Sequence, residues 1–181
     1  VEVAGSDVTL SASYKADFDI VKVVADPVKQ SPEAGKRLSA RNNMQQCGLA
    51  LINYADTYNG VMPILGVGAN GAPLKGPTEK PLLSWRVALL PHIEQEELYK
   101  QFKHDEPWDS EHNKKLIEKM PKVFAPVSKP GKPGHTHLQM VVGPNAMQPG
   151  MRFPASIKDG SSNTIALVEA VEPVVWTKPD D

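Results

Sequence analysis

The sequence predicts an α+β fold with an antiparallel sheet. Three observations lead there. Apolar residues in the first half recur at helical steps, those in the last third alternate at period two, and the stretch between them is rich in Gly and Pro. Helical signals first and strand signals later favour α+β over a doubly wound parallel sheet.

The elements are taken in chain order. Val8, Leu10, Ala12 and Tyr14 alternate with Thr9, Ser11 and Ser13, the pattern of a half-buried strand. Asp17 or Asp19 then caps a short helix through Ile20–Val24. Ala40, Met44, Cys47, Leu51, Tyr54 and Tyr58 recur at steps of four and three, which predicts a long helix around residues 36–59 with Met44, Leu51 and Tyr54 in the core. Leu38, Leu49 and Ile52 are expected to widen that stripe, and Gly60 to end the helix at C′. Val61–Pro81 reads as a long surface excursion. Ser84 caps a helix holding Trp85, Val87, Leu89 and Leu90, which Pro91 kinks or splits. Helical character resumes over Glu94–Phe102. Asp109 or Ser110 caps a further helix with Leu116, Ile117 and Met120, which Pro121 stops. Val123–Val127 is a short apolar run. Leu138, Met140 and Val142 mark a half-buried strand. Asn163–Val171 reads as a buried strand entered through an Asp159-Gly160 turn, and Val174–Trp176 as a further edge.

Composition narrows the function. The chain has 181 residues with 40% apolar and 23% charged residues, an ordinary globular balance. Pro, at 17 residues, is about twice its average share, so regular elements should be short. The formal net charge of -1 gives no field for nucleic acid or acidic membrane, which excludes a dedicated nucleic-acid binder. No run of 18 apolar residues is present to span a bilayer. Cys47 is the only cysteine, so a disulfide within the chain is impossible.

The candidate constellations are weak, and each has a plain structural explanation. His135 and His137 share one face of a strand and could hold a metal, helped by His104, Asp105 or Glu106. Zinc sites usually show three or four ligands in a recognisable spacing, and two loop-edge histidines do not. Asp105, Glu106 and Asp109 surround Trp108, with His112 and Asn113 one turn on. Such carboxylates do acid–base work or bind calcium, yet helix capping and packing account for them more simply. Asp159-Gly160-Ser161-Ser162-Asn163-Thr164 could ligate a cation, although such loops more often bond their own backbone. Cys47 lies in an apolar stripe and reads as a small hydrophobe. Gly66, Gly68 and Gly71 lack the Lys-Ser/Thr ending of a phosphate loop. No catalytic residue and no cofactor is assigned, with calcium as the open possibility.

One set of motifs is familiar. Asn42-Asn43-Met44-Gln45-Gln46-Cys47-Gly48-Leu49-Ala50-Leu51-Ile52-Asn53-Tyr54 resembles the signature helix of a large planctomycete family known only as a domain of unknown function (numbered fifteen fifty-nine). Ser84-Trp85-Arg86-Val87, Leu89-Leu90-Pro91, Glu106-Pro107-Trp108-Asp109-Ser110, Met120-Pro121-Lys122-Val123, Asp159–Ile165, Val168-Glu169-Ala170 and Trp176-Thr177-Lys178-Pro179 come after it in the family's order. The resemblance covers roughly residues 34–181. It implies a pilin-like or pseudopilin-like head, with a long N-terminal helix on a small antiparallel sheet, extra short helices, and export to the cell envelope. Val1–Gln30 is too polar to be a pilin's apolar helix, so the chain fits the non-pilin subset. Residues 1–33 are then the tail of a longer upstream region, and 34–181 the family domain. Many relatives carry a disulfide whose positions read Ala40 and Ala125-Pro126 here.

The expected function is a non-enzymatic envelope or surface module, exported and engaged in protein partnership or self-assembly. The alternative is a calcium- or glycan-binding module at the Asp105–Asn113 or Asp159–Thr164 loop. A metal-dependent hydrolase using His135 and His137 comes third.

Overall fold

The computed structural model describes residues 2–4, 7–9, 32–74, 79–127, 131–143, 146–157 and 160–180. Two compact units are present, Val1–Gly35 and Lys36–Asp181. In the first, β1 (Glu2–Ala4) pairs antiparallel with β2 (Asp7–Thr9), Val3 opposite Val8. The strand signal around Val8 is therefore realised. Its continuation to Tyr14 and the short helix Ile20–Val24 lie outside the described residues.

The long helix is α1 (Pro32–Thr57), 26 residues. Pro32 opens it where a missing N–H costs nothing. Cys47, Ala50, Leu51, Tyr54 and Ala55 are buried, and Met44 and Tyr58 pack against them half-buried. Leu38, Leu49 and Ile52 do not widen this stripe. They are 47%, 64% and 38% exposed. At about 100° per residue, Leu49 lies about 200° from Cys47, on the opposite face. The helix ends with Asn59 at φ 53° and Gly60 at φ 85°, the Gly60 N–H donating to Ala55 O at 2.7 Å. The first left-handed residue is thus Asn59, and Gly60 comes next as the donor of the six-to-one bond. Leu51 is 2% exposed, so Leu51→Ala should lower the unfolding free energy by about 2–5 kcal/mol. Urea melts check this, and a loss below about 0.5 kcal/mol would overturn the helix's place in the core.

The segment after α1 is not a surface excursion. Met62, Ile64, Val67 and Leu74 are buried. Val67 donates to and accepts from the 82–83 backbone (Val67 N to Leu83 O, 2.8 Å; Leu82 N to Val67 O, 2.9 Å). Residues 75–78 lie outside the description. Gly and Pro here shape turns that return apolar side chains to the core, and their composition hides that burial.

Ser84 caps α2 (Trp85–Ala88), its Oγ accepting from Arg86 N at 3.2 Å. Pro91 then stands in a 3₁₀ turn, Leu90–Ile93, so the helix is split as expected. The left-handed Glu94 (φ 61°) leads into α3 (Glu96–Tyr99), with Leu98 and Phe102 buried. Asn113–Lys119 is a 3₁₀ helix rather than an α-helix. Ser110 Oγ, and not Asp109, takes the Asn113 N–H (3.1 Å). The Val123 run forms another 3₁₀ turn, Lys122–Phe124.

The second sheet is β3 (His135–Met140) antiparallel to β4 (Leu167–Val175). Thr136, Leu138 and Met140 are buried and the intervening residues half-buried, the alternation the sequence predicts. The second strand departs from expectation. It begins at Leu167, absorbs Val174 and Val175, and is not buried: Val171 is 76% exposed and Ile165, just before it, 67%. The register slips between Thr136, opposite Val174, and Leu138, opposite Glu169. Pro173 lies in that slip and has no N–H for the ladder. A long helix, several short ones and an antiparallel sheet make the unit α+β. One core joins α1, α2, β3 and Trp176.

Candidate functional site

The sequence-predicted residues do not converge. His135 Nδ1 lies 3.0 Å from Pro133 O, and His137 Nδ1 lies 3.0 Å from Ala170 O. The histidines share a strand face as predicted, but their rings serve separate carbonyls. His137 works with Gln139, whose Nε2 donates to Glu172 O at 2.6 Å, and together they satisfy carbonyls in the strand slip around Pro173. That contact uses the Nδ1-protonated tautomer of His137.

Around Trp108, Asp105 and Asp109 are exposed. Glu106 meets Lys103 Nζ at 2.8 Å, and hydrogen bonds from Lys103 and then Ser110 hold its carboxyl below the ordinary glutamate range. His104 packs against Tyr99 with ring centroids 4.2 Å apart and the planes tilted by 41°, its Nε2 lies 3.1 Å from Tyr99 O, and burial lowers its pKa. The residue that organises this loop is Asn113. It is fully buried, accepts from Lys103 N at 3.0 Å, and gives its amide protons to the carbonyls of Lys103, Glu106 and Pro107. One amide thus closes residues 103–113 from within.

Asp159 lies outside the described residues. The turn after it bonds its own backbone: Asn163 N donates to Gly160 O at 3.1 Å, and Thr164 Oγ1 to the same oxygen at 3.2 Å. Gly71 (φ 68°) is buried, receives the Tyr54 hydroxyl on its carbonyl at 3.1 Å, and faces Tyr99 so closely that a Cβ would overlap its hydroxyl. A glycine packed in this way is closed to a phosphate. Burial pushes the Cys47 thiol up to about 12, against a smaller opposite pull from Arg86. It stays a neutral thiol at physiological pH. Among the described residues, no three of His, Cys, Asp and Glu come together to hold a metal ion.

Two features have no clear signal in the sequence. The first is Arg86, fully buried on α2. Its Nε and Nη2 donate to Leu138 O at 3.0 and 2.6 Å, its Nη1 to Ser84 Oγ at 3.0 Å, and its guanidinium lies 4.5 Å from the Trp85 ring centre. A polar residue between Trp85 and Val87 is the only local sign of it. The second is an apolar groove of about 300 Å³ beside α1, walled by Met44, Gly48, Ile52, Met147, Phe153 and Ile165 among others. Its polar groups are few, so it suits apolar contact rather than bond-making chemistry. Ala40 and Ala125 line one small cavity together with His137. Trp85 and Trp176 are buried and Trp108 packs half-buried against the core, so none offers an open aromatic platform.

No helix among the described residues is long and apolar enough to cross a membrane. No curated protein and no solved structure matches the chain. Residues 30–137 match the model of a family described as "Protein of unknown function (DUF1559)". That match takes in all of α1, the buried Gly/Pro segment, the short helices up to Lys122–Phe124 and the start of β3. The long helix, the Ser84-Trp85-Arg86 cap with its buried guanidinium and the Asn113-closed loop all fall inside it, and by that match the chain belongs to the DUF1559 family.

Proposed function

We propose that the chain is a non-enzymatic, exported module of the cell envelope or surface, resembling a pseudopilin head, that acts through protein contact. The observation that carries this reading is α1, which buries one apolar stripe in the core and leaves three large apolar residues exposed on its other side. One face supplies the core with Cys47, Leu51 and Tyr54, and the other presents Leu38, Leu49 and Ile52 to solvent. Large exposed apolar residues gathered on one element mark an interaction surface more than an enzyme cleft. The long helix with an antiparallel sheet supports the pilin-like comparison.

Fractionation of cells of the native organism, with immunoblotting and protease shaving of intact cells, tests the reading. The protein is expected in the envelope or the medium and open to protease after mild envelope permeabilisation. A pool confined to the cytoplasm would overturn it.

A further inference from the structure

The 103–113 loop is tied to its surroundings by contacts of different kinds. Trp108 N donates to Leu82 O at 2.9 Å, His112 Nε2 lies 2.8 Å from Gln101 O, and the His104 ring packs on Tyr99 of α3. The seat of His104 is the unusual one. A carbonyl only accepts, so His104 Nε2 carries the proton given to Tyr99 O, and in the neutral ring Nδ1 is left with a lone pair. That Nδ1 is buried and meets no hydrogen-bond partner among the described residues. Behind it, Tyr99 sets its hydroxyl against the buried Gly71.

We propose that His104 is an acid-operated latch: a proton on Nδ1 unseats the ring from Tyr99 and releases the 103–113 loop with Trp108. The proton would place a charge and a second N–H where no acceptor waits, and a buried polar group without a partner is costly. The surrounding groups do not offset this. On the loop itself, Asp105 is exposed, and Lys103 is taken by Glu106. On α3, Lys100 is taken by Glu96 and Glu97, and Tyr99 is acted on in turn by Tyr58 of α1. The bond to Tyr99 O and the charge of Asp105 both favour a protonated ring, but burial outweighs them and holds the pKa below its ordinary value. His112 behaves differently. Its exposed ring donates Nε2–H to Gln101 O whether charged or neutral, so acid leaves that bond intact. Asn113 closes the loop from within, so the loop can leave as one piece. The released loop takes its proton at the ordinary value of 6.5, and the seated ring only below it. The latch is therefore closed above that value and opens as pH falls through it toward the lower, seated one.

Nuclear magnetic resonance of the labelled full chain tests the latch. The His104 ring signals should titrate with a midpoint below 6.5. Hydrogen exchange, corrected for its intrinsic pH dependence, should show the Trp108 N–H losing protection several-fold between about pH 7.5 and about pH 5, with a ceiling of about thirtyfold set by the proton uptake of the open loop. The Leu51 N–H in α1 should keep its protection over that range, which separates opening of the loop from unfolding of the chain. His104→Gln keeps a side-chain donor for Tyr99 O and does not titrate, so its Trp108 protection should change by less than about twofold. Burial also lowers the pKa of His92, and His92→Gln should retain the acid response of the parent. A His104 midpoint at or above 6.5, equal Trp108 protection at the two pH values, a parallel loss at Leu51, a His104→Gln protein as acid-sensitive as the parent, or a response abolished by His92→Gln would each overturn the proposal.

Discussion

Arg86→Ala is expected to lower the unfolding free energy by about 3–5 kcal/mol and the melting temperature by about 10 °C. The side chain is fully buried, and it ties α2 to β3 through two bonds to the Leu138 carbonyl. Removing it takes both side-chain donors from that carbonyl, at about 1–3 kcal/mol for a group left unsatisfied in the core, and one of two donors from the Ser84 hydroxyl, which keeps the residue-86 N–H. A cavity against Trp85 adds to the loss. Arg86→Lys should recover less than half, because a single ammonium cannot reproduce the fork that meets Leu138 and Ser84 together. Urea titration of the three proteins decides it. A lysine variant as stable as the parent would show that charge, rather than the fork, is what β3 requires.

Trp176→Ala should cost about 4–5 kcal/mol. The indole closes the far end of the core: fully buried, stacked on Phe124 with centroids 6.0 Å apart, edge-on to Phe102 at 5.7 Å, and donating from Nε1 to Ile117 O at 2.8 Å. Trp176→Phe separates the parts. It keeps the aromatic contacts and deletes the donor, so it should cost only about 1–2 kcal/mol. Denaturant melts monitored by far-ultraviolet circular dichroism measure both. Equal losses in the two variants would mean that the hydrogen bond, and not the ring packing, holds β4 to the Asn113–Lys119 turn.

The candidate site is only partly legible in the sequence. The plain structural explanation of the acidic cluster is what the geometry shows, but the agent differs: Ser110 and Asn113 organise the loop in place of Asp109. The histidine pair lies on the strand face its spacing predicts, yet its partners are carbonyls that no spacing rule could name. His137 reaches a strand slip 33 residues away. The exposed Leu38, Leu49 and Ile52 stand in the sequence beside the residues of the core stripe. Apolarity alone merges the two, because it does not say which side of the helix a residue occupies.

What the sequence determined by itself is whatever short-range physics controls. The core stripe of α1, the Ser84 cap, the break at Pro91 and the alternation of β3 each depend on residues within a turn or two, through periodicity, a hydroxyl at the right place, or a missing N–H. Only the tertiary structure decided the rest. Burial of the Gly/Pro segment around Val67 depends on pairing with Leu83. The exposure of Val171 depends on which side of β4 has a neighbour. Arg86 is tolerated inside because a carbonyl 52 residues away receives it, and Trp176 because one 59 residues away does. Desolvation makes a buried polar group costly unless its partner is in place. That partner is supplied by the folded chain as a whole, so no local reading of the sequence can name it.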